Sequence, residues 1–162
     1  MSGQDEFEYA SARAPFGRTL DVGAAHNSAS RLKILCGSYT GVDMQEHSNV
    51  DIVHDMEQPL DVLPFDDVIC LSTLEHCRKV WLVAENIERL IKPGGRLILS
   101  VPWAWRVHNY PSDYWRISPE GIKFLFPNIE FGPITNSRKL PWDRHPTKRT
   151  MLFATGTKRP VC

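Results

Sequence analysis

Residues 19–27 read Thr19-Leu20-Asp21-Val22-Gly23-Ala24-Ala25-His26-Asn27, and Ser28 comes next as a helix cap. This is a short apolar strand that ends in a carboxylate, turns through small residues and enters a helix. Such a turn leaves bare backbone amides at the positive end of the helix, where a ligand can lie against the main chain. Open parallel sheets bind their ligands at this kind of turn, beyond the carboxyl ends of the strands. Only Gly23 survives of the glycines a dinucleotide turn would carry, so the weight of the pattern comes from the downstream strands and helices.

Strands and helices alternate along the chain. Residues 1–16 show no periodicity and read as an irregular lead-in. Strands are expected at 18–22, 39–43, 50–55, 67–72 and 96–101; the first three end in Asp21, Asp43 and Asp55. Helices are expected from Ser28 to Leu35, closed by Gly37, from Leu74 to Ile91, stopped by Pro93-Gly94-Gly95, and from Ser118-Pro119 to Phe126. Two late strands, 129–134 and 151–156, flank a basic, proline-rich loop at 137–150. Alternation of this kind predicts a three-layer α/β fold, Rossmann-like, with a mostly parallel sheet. Between Asp43 and Val50 there is no room for a helical crossover, so the third strand is short, displaced or reached by a plain loop.

With 162 residues, 42% of them hydrophobic, the chain suits one domain spanning 1–162. Nineteen basic residues balance nineteen acidic ones, so no global field draws the molecule to nucleic acid or to a membrane. Cys36, Cys70, Cys77 and Cys162 form no CxxC pair; Cys36 and Cys70 sit in apolar runs and read as buried free thiols, which points to a reducing cytoplasmic setting. No apolar run is long enough for a membrane span.

Four landmarks stand in order: Leu20-Asp21-Val22-Gly23, Gly41-Val42-Asp43, the run 68–76 ending Leu74-Glu75-His76, and Ile91-Lys92-Pro93-Gly94-Gly95-Arg96-Leu97. In these the chain resembles the class I S-adenosylmethionine-dependent methyltransferases of the small type 11 group, over residues 18–126. The resemblance implies a seven-stranded sheet with an antiparallel last strand. It implies S-adenosylmethionine as cofactor, with Asp21, Gly23, Ala24 and Ala25 around its methionine moiety and Asp43 on the ribose hydroxyls. Asp55 would take the adenine amino group, Met44 and Met56 would pack on the ring, and Ser72 and His76 would face the cofactor from the fourth strand. Ala25 and Asn27 stand where that family prefers glycine, and the helices that usually cover its active site are not evident ahead of the first strand.

The segment after the fifth strand is where such a sheet places its acceptor. There Trp103, Tyr110, Tyr114 and Trp115 can wall an apolar pocket, and His108 with Asp113 can serve as a general base for a hydroxyl. The plainer reading is that these aromatics only roof the core. Glu75 reads as an acid at a helix start. The six histidines show no metal-ligand spacing, so no metal is expected. The expected activity is methyl transfer to an oxygen or nitrogen of a small-molecule or glycan-type acceptor. Two other readings remain: the same fold kept as a binding or scaffold module, and an RNA-modifying enzyme using the basic segment. A homo-oligomer would supply a lid from a second copy.

Overall fold

The computed structural model describes residues 5–26, 29–109, 112–138 and 149–160. Its elements run α1 (Glu6–Ser11), β1 (Phe16–Val22), α2 (Ala29–Lys33), β2 (Cys36–Asp43), β3 (Ile52–Val53), β4 (Phe65–Leu71), a 3-10 turn (Leu74–His76), α3 (Val80–Leu90), β5 (Ile91–Ala104), α4 (Pro119–Leu125), β6 (Ile129–Phe131), β7 (Thr135–Asn136) and β8 (Thr150–Lys158).

The strands form one sheet in the order β3-β2-β1-β4-β5-β8-β6, with β7 pairing β8 off this path. The pairs from β3 to β5 are parallel, and β8 runs antiparallel to β5, β6 and β7. The sheet thus has the expected Rossmann-like character, with an eighth strand because the run expected at 129–134 ends as β6 at Phe131 and a separate β7 follows at Thr135–Asn136.

Side chains alternate cleanly across the pleat. Val68, Cys70, Leu97, Leu99, Leu152 and Ala154 face a core shared with α3 and α4. Ile69, Leu71, Ile98, Met151 and Phe153 face a second core with Tyr9, Ala10 and Leu32 of α1 and α2. The period of two along β4, β5 and β8 therefore produces the three layers.

Several local expectations need correction. The lead-in is partly helical: Asp5 accepts from the Glu8 amide at 2.7 Å while the Glu8 carboxylate accepts from the Asp5 amide at 3.4 Å, a capping box. Tyr9 then stacks on Phe153 with ring centroids 4.5 Å apart, so α1 covers the sheet. The helix expected over 74–91 divides into the 3-10 turn and α3. Pro93-Gly94-Gly95 does not follow that helix as a loop but lies within β5, where Gly94 takes φ 78° and β5 shifts register against β4. The end of α3 is capped from afar, by Lys158 Nζ donating to the Glu88 and Ile91 carbonyls at 2.8 and 2.9 Å. Ser118 caps α4 as expected, accepting from the Gly121 amide at 3.0 Å, with Pro119 in the first turn.

The link from β2 to β3 is a plain loop that turns straight back. Asp51 ties it down twice, its carboxylate accepting from the Gly41 amide and its own amide donating to the Gly41 carbonyl, both at 2.8 Å. A Cβ on Gly41 would fall 1.9 Å from the Asn49 carbonyl oxygen, so only glycine lets the loop close this tightly. Among the described residues no helix is long and apolar enough to cross a membrane.

Candidate active site

The first half of the site forms at the ends of β1 and β2. Gly23 adopts φ 81°, and a Cβ there would lie 2.2 Å from Thr73 Oγ1. Thr73 reaches this point because its hydroxyl donates to the carbonyls of Val22 and Leu71, stitching the ends of β1 and β4. The Asp43 carboxylate accepts from the Ala25 amide at 3.1 Å and from the Gln45 amide at 2.9 Å. Asp21 is fully buried beneath the turn, accepting from Tyr39 Oη at 2.8 Å, with His26 Nε2 at 3.3 Å from the same oxygen. Burial works against the charged form of His26, but the hydrogen bond and charge of Asp21, with Glu6 and Asp43, outweigh it and raise its pKa. Asp21 Oδ1, also buried, has no hydrogen-bond partner among the described residues.

Asp55 turns its carboxylate onto the Glu57 amide at 2.9 Å. Of the two methionines expected on a ligand ring, only Met44 presents a surface, at 69% exposure. Met56 is 6% exposed and belongs to the core under α3, because Asn86 donates to its carbonyl at 2.9 Å and draws the segment down.

The second half is a cavity of about 590 Å³ on the face covered by α1 and α2. Asp5, Glu6, Phe7, Arg31, Ser72, Glu75, Pro102, Trp105, His108, Ser137, Arg138, Arg149 and Met151 line it. The described part of the 137–150 segment thus contributes to a cavity wall. Helix α1 supplies cover that the residue pattern did not announce. Its Glu6 carboxylate accepts from the hydroxyls of both Ser72 and Ser100 at the ends of β4 and β5. Ser72 itself sits at φ 46°, a left-handed backbone unusual for a residue with a side chain.

Beside this cavity the segment after β5 docks on the 3-10 turn. The Tyr114 amide donates to the Glu75 carbonyl at 2.7 Å, Trp115 Nε1 donates to the Cys77 carbonyl at 2.7 Å, and His76 Nδ1 lies 2.5 Å from the Ser112 carbonyl oxygen. Asp113 is gripped by Arg116 at 2.5 and 2.8 Å. The Arg116 guanidinium holds the Asp113 carboxyl well below the usual carboxylate range. Asp113 Oδ2 also accepts from the His108 amide at 2.8 Å and stands 3.0 Å from His108 Nδ1. The rings of His76 and His108 meet edge to face with centroids 5.0 Å apart. Glu75 is 1% exposed, and neither carboxylate oxygen has a hydrogen-bond partner among the described residues; burial pushes its carboxyl up to about 8.

The sequence-derived acceptor residues fare unevenly. His108 lines the cavity and Asp113 positions it without lining it. Trp103 and Trp115 pack against the core under α3 and α4, and Tyr114 stands 48% exposed; none of the three lines the cavity. Tyr110 lies outside the described residues, as do Asn27 and Ser28. Of the aromatics after β5, Trp105 lines it, as does Phe7 from α1. A register shift between Pro102 and Ala104 re-aims the chain, so that Trp103 and Trp105, two residues apart, serve opposite faces of the sheet. His76 makes its contacts with Glu75, His108 and Ser112.

Comparison with known proteins fits this geometry. Residues 20–99 match the family model described as a methyltransferase domain. The ubiquinone biosynthesis O-methyltransferase of Xylella fastidiosa (strain 9a5c) is 30% identical over 112 residues, covering 57% of this chain and 46% of that protein. This chain thus spans about half the length of that curated relative. Among solved structures, the 1,6-didemethyltoxoflavin-N1-methyltransferase of Burkholderia thailandensis superposes with TM-score 0.73 at 18% identity, over 95% of this chain and 78% of that one. The N-methyltransferase NodS of Bradyrhizobium japonicum WM9, solved with S-adenosyl-l-homocysteine, gives 0.67 at 16% identity, over 94% and 87%. The small-residue turn, the acids at the ends of β1 and β2 and the sheet order agree with these matches: residues 20–99 match a methyltransferase domain, and the fold is the one these methyltransferases share.

Proposed function

We propose that this protein transfers a methyl group from S-adenosylmethionine to a hydroxyl oxygen of a polar small molecule. The residues present fit the cofactor: Gly23, at φ 81° against Thr73, makes the tight turn after β1, and each Asp43 oxygen, engaged by one backbone amide, keeps a lone pair for a ribose hydroxyl. Ala24, Ala25 and Asp21 would frame the methionine end, Met44 and Asp55 the adenine, and Ser72 the edge shared with the cavity. When bound, the cofactor supplies an electrophilic methyl group on a sulfonium, so the protein chiefly aligns and desolvates.

The observation that carries the choice of oxygen is the His108–Asp113 pair on the cavity wall. Asp113 engages Nδ1 at 3.0 Å, which leaves Nε2 to accept a hydroxyl proton. The relative from Xylella fastidiosa, an O-methyltransferase by name, supports the same choice. The lining is balanced in charge, with Asp5, Glu6 and Glu75 against Arg31, Arg138 and Arg149, which suits a polar small molecule better than an RNA strand. Free thiols at Cys36, Cys70 and Cys77 support a cytoplasmic setting.

Calorimetric titration with S-adenosylhomocysteine, then a methyl-transfer screen of hydroxylated acceptors, tests this reading. Saturable heat and transfer that His108→Gln suppresses are expected; no heat and no transfer would overturn it. One observation favours the scaffold alternative: Asp43 already satisfies two amides of its own chain. The same calorimetry separates the two.

A further inference from the structure

We propose that Glu75, His76 and His108 form a binding site for a divalent first-row transition metal, open to the cavity. One ligand atom from each of these residues lies within 4.8 Å of the others. Two ligands on one metal, each ~2.0–2.1 Å from it, stand at most about 4 Å apart, so a small contraction closes the set.

Two independent features say that the cluster is made for a cation. The first is Glu75. It is 1% exposed, both oxygens lack a hydrogen-bond partner among the described residues, and His76 Nε2 is 3.8 Å from Oε1. A carboxylate so placed is costly unless something positive meets it. The second is the way both imidazoles are held from behind. His76 directs Nδ1 to the Ser112 carbonyl, and His108 directs Nδ1 to the Asp113 carboxylate, itself fixed by Arg116. A proton on Nδ1 leaves Nε2 of each ring as the donor atom. Metal-bound histidines are oriented by such outer hydrogen bonds to carbonyls and carboxylates.

The three donors come from two segments that are locked together. The Tyr114 amide and Trp115 Nε1 hold the post-β5 segment on the 3-10 turn, so His108 cannot drift from Glu75 and His76 without breaking those bonds. Three protein ligands leave coordination positions vacant, and Glu75 and His108 both line the cavity, so those positions open where an acceptor would enter. A set of two imidazoles and one carboxylate favours Zn²⁺, Mn²⁺, Fe²⁺ or Co²⁺ over Mg²⁺ or Ca²⁺, which prefer oxygen donors. The metal would hold a hydroxyl or carboxylate oxygen of the acceptor and lower the pKa of a bound hydroxyl. This replaces the base role of His108, since its Nε2 is then a ligand and no longer free to take a proton. The metal's role rests on the O-methyl transfer proposed above, but metal binding does not.

The test is calorimetric titration of the metal-free full chain with Zn²⁺, Mn²⁺ and Mg²⁺ in turn, with Mn²⁺ binding also followed by electron paramagnetic resonance. One Zn²⁺ or Mn²⁺ per chain is expected, with Mg²⁺ much weaker. Glu75→Gln and His108→Ala should each weaken Zn²⁺ by on the order of tenfold or more, while His47→Ala, on the β2–β3 loop, leaves it unchanged. Retained S-adenosylhomocysteine binding by the variants shows that they fold. Absence of binding, equal binding of Mg²⁺, or undiminished Zn²⁺ binding by the Glu75 and His108 variants would overturn the site. Cofactor binding and methyl transfer by a chain that binds no metal would sink the metal site alone, and metal binding without methyl transfer would sink the proposed function alone.

Discussion

Gly23 and Thr73 should behave as one unit. Replacing Gly23 by alanine places a side chain at φ 81°, a left-handed conformation that costs about 1–2 kcal/mol. The new methyl would stand 2.2 Å from Thr73 Oγ1 and 2.9 Å from Cγ2, so Thr73 must swing away. It then loses the hydrogen bond whose single proton it shares between the Val22 and Leu71 carbonyls, worth about 1 kcal/mol. Gly23→Ala should therefore cost roughly 2–3 kcal/mol, or about 4–12 °C in Tm for a chain of this size. Thr73→Ala alone should cost about 1 kcal/mol. In the double variant the clash with Oγ1 and Cγ2 is gone and the hydroxyl bond is already lost, so the total stays near roughly 2–3 kcal/mol instead of summing to about 3–4. Thermal and urea unfolding of the four proteins measure this coupling of about 1 kcal/mol. Costs that add within about 0.5 kcal/mol would show that Thr73 does not brace the turn, and the role given to Gly23 would fall with it.

The same geometry sets the outcome of other perturbations. Asp43→Ala should weaken S-adenosylhomocysteine by about tenfold, the worth of one charged hydrogen bond, read by calorimetry; unchanged affinity would refute the ribose role. His26 has a raised pKa, so its stabilising pair with Asp21 is complete below about 6.5 and is lost as pH climbs through the folded-state value. Stability measured by urea unfolding should thus decline as pH rises above about 6.5, and His26→Gln should flatten that decline. Lys158→Met removes the ammonium that caps α3 and should cost about 2 kcal/mol, seen as a Tm lower by roughly 4–8 °C; an unchanged Tm would deny the cap its role.

How much of the fold and the site was legible from residues alone depends on the range of the interactions. The β4 core strand, the acids closing β1 and β2, and the Ser118-Pro119 start of α4 are local signals, and each lies where its pattern put it. Helix α1 was legible too, since Asp5 and Glu8 have capping-box spacing; the lack of a longer apolar period hid it. The run through Pro93-Gly94-Gly95 reads as a stop, yet an irregularity in the pairing with β4 lets β5 begin at Ile91. The cavity is different in kind. Glu6, Arg31, Glu75, Trp105, Arg138 and Arg149 meet only because the sheet order brings their elements together. Glu75 has the spacing of an ordinary acid at a helix start, and only its burial sets it apart. No histidine spacing could announce the grouping of His76 with His108, because 31 intervening residues fold into α3 and β5.

The position of β8 has a consequence for how the chain is made. It is synthesised after β6 yet lies between β5 and β6 and also supports β7. Until residues 150–158 leave the ribosome, the growing sheet ends at an open β5 edge, and β6 and β7 have nothing to pair with. The richest seam of the molecule is thus closed last, by long-range antiparallel pairing that is slow to find its register. A nascent chain stalled before Thr150 would hold β1 to β5 as a half-built sheet with a bare, apolar margin, the state in which a chaperone or an aggregate would meet it.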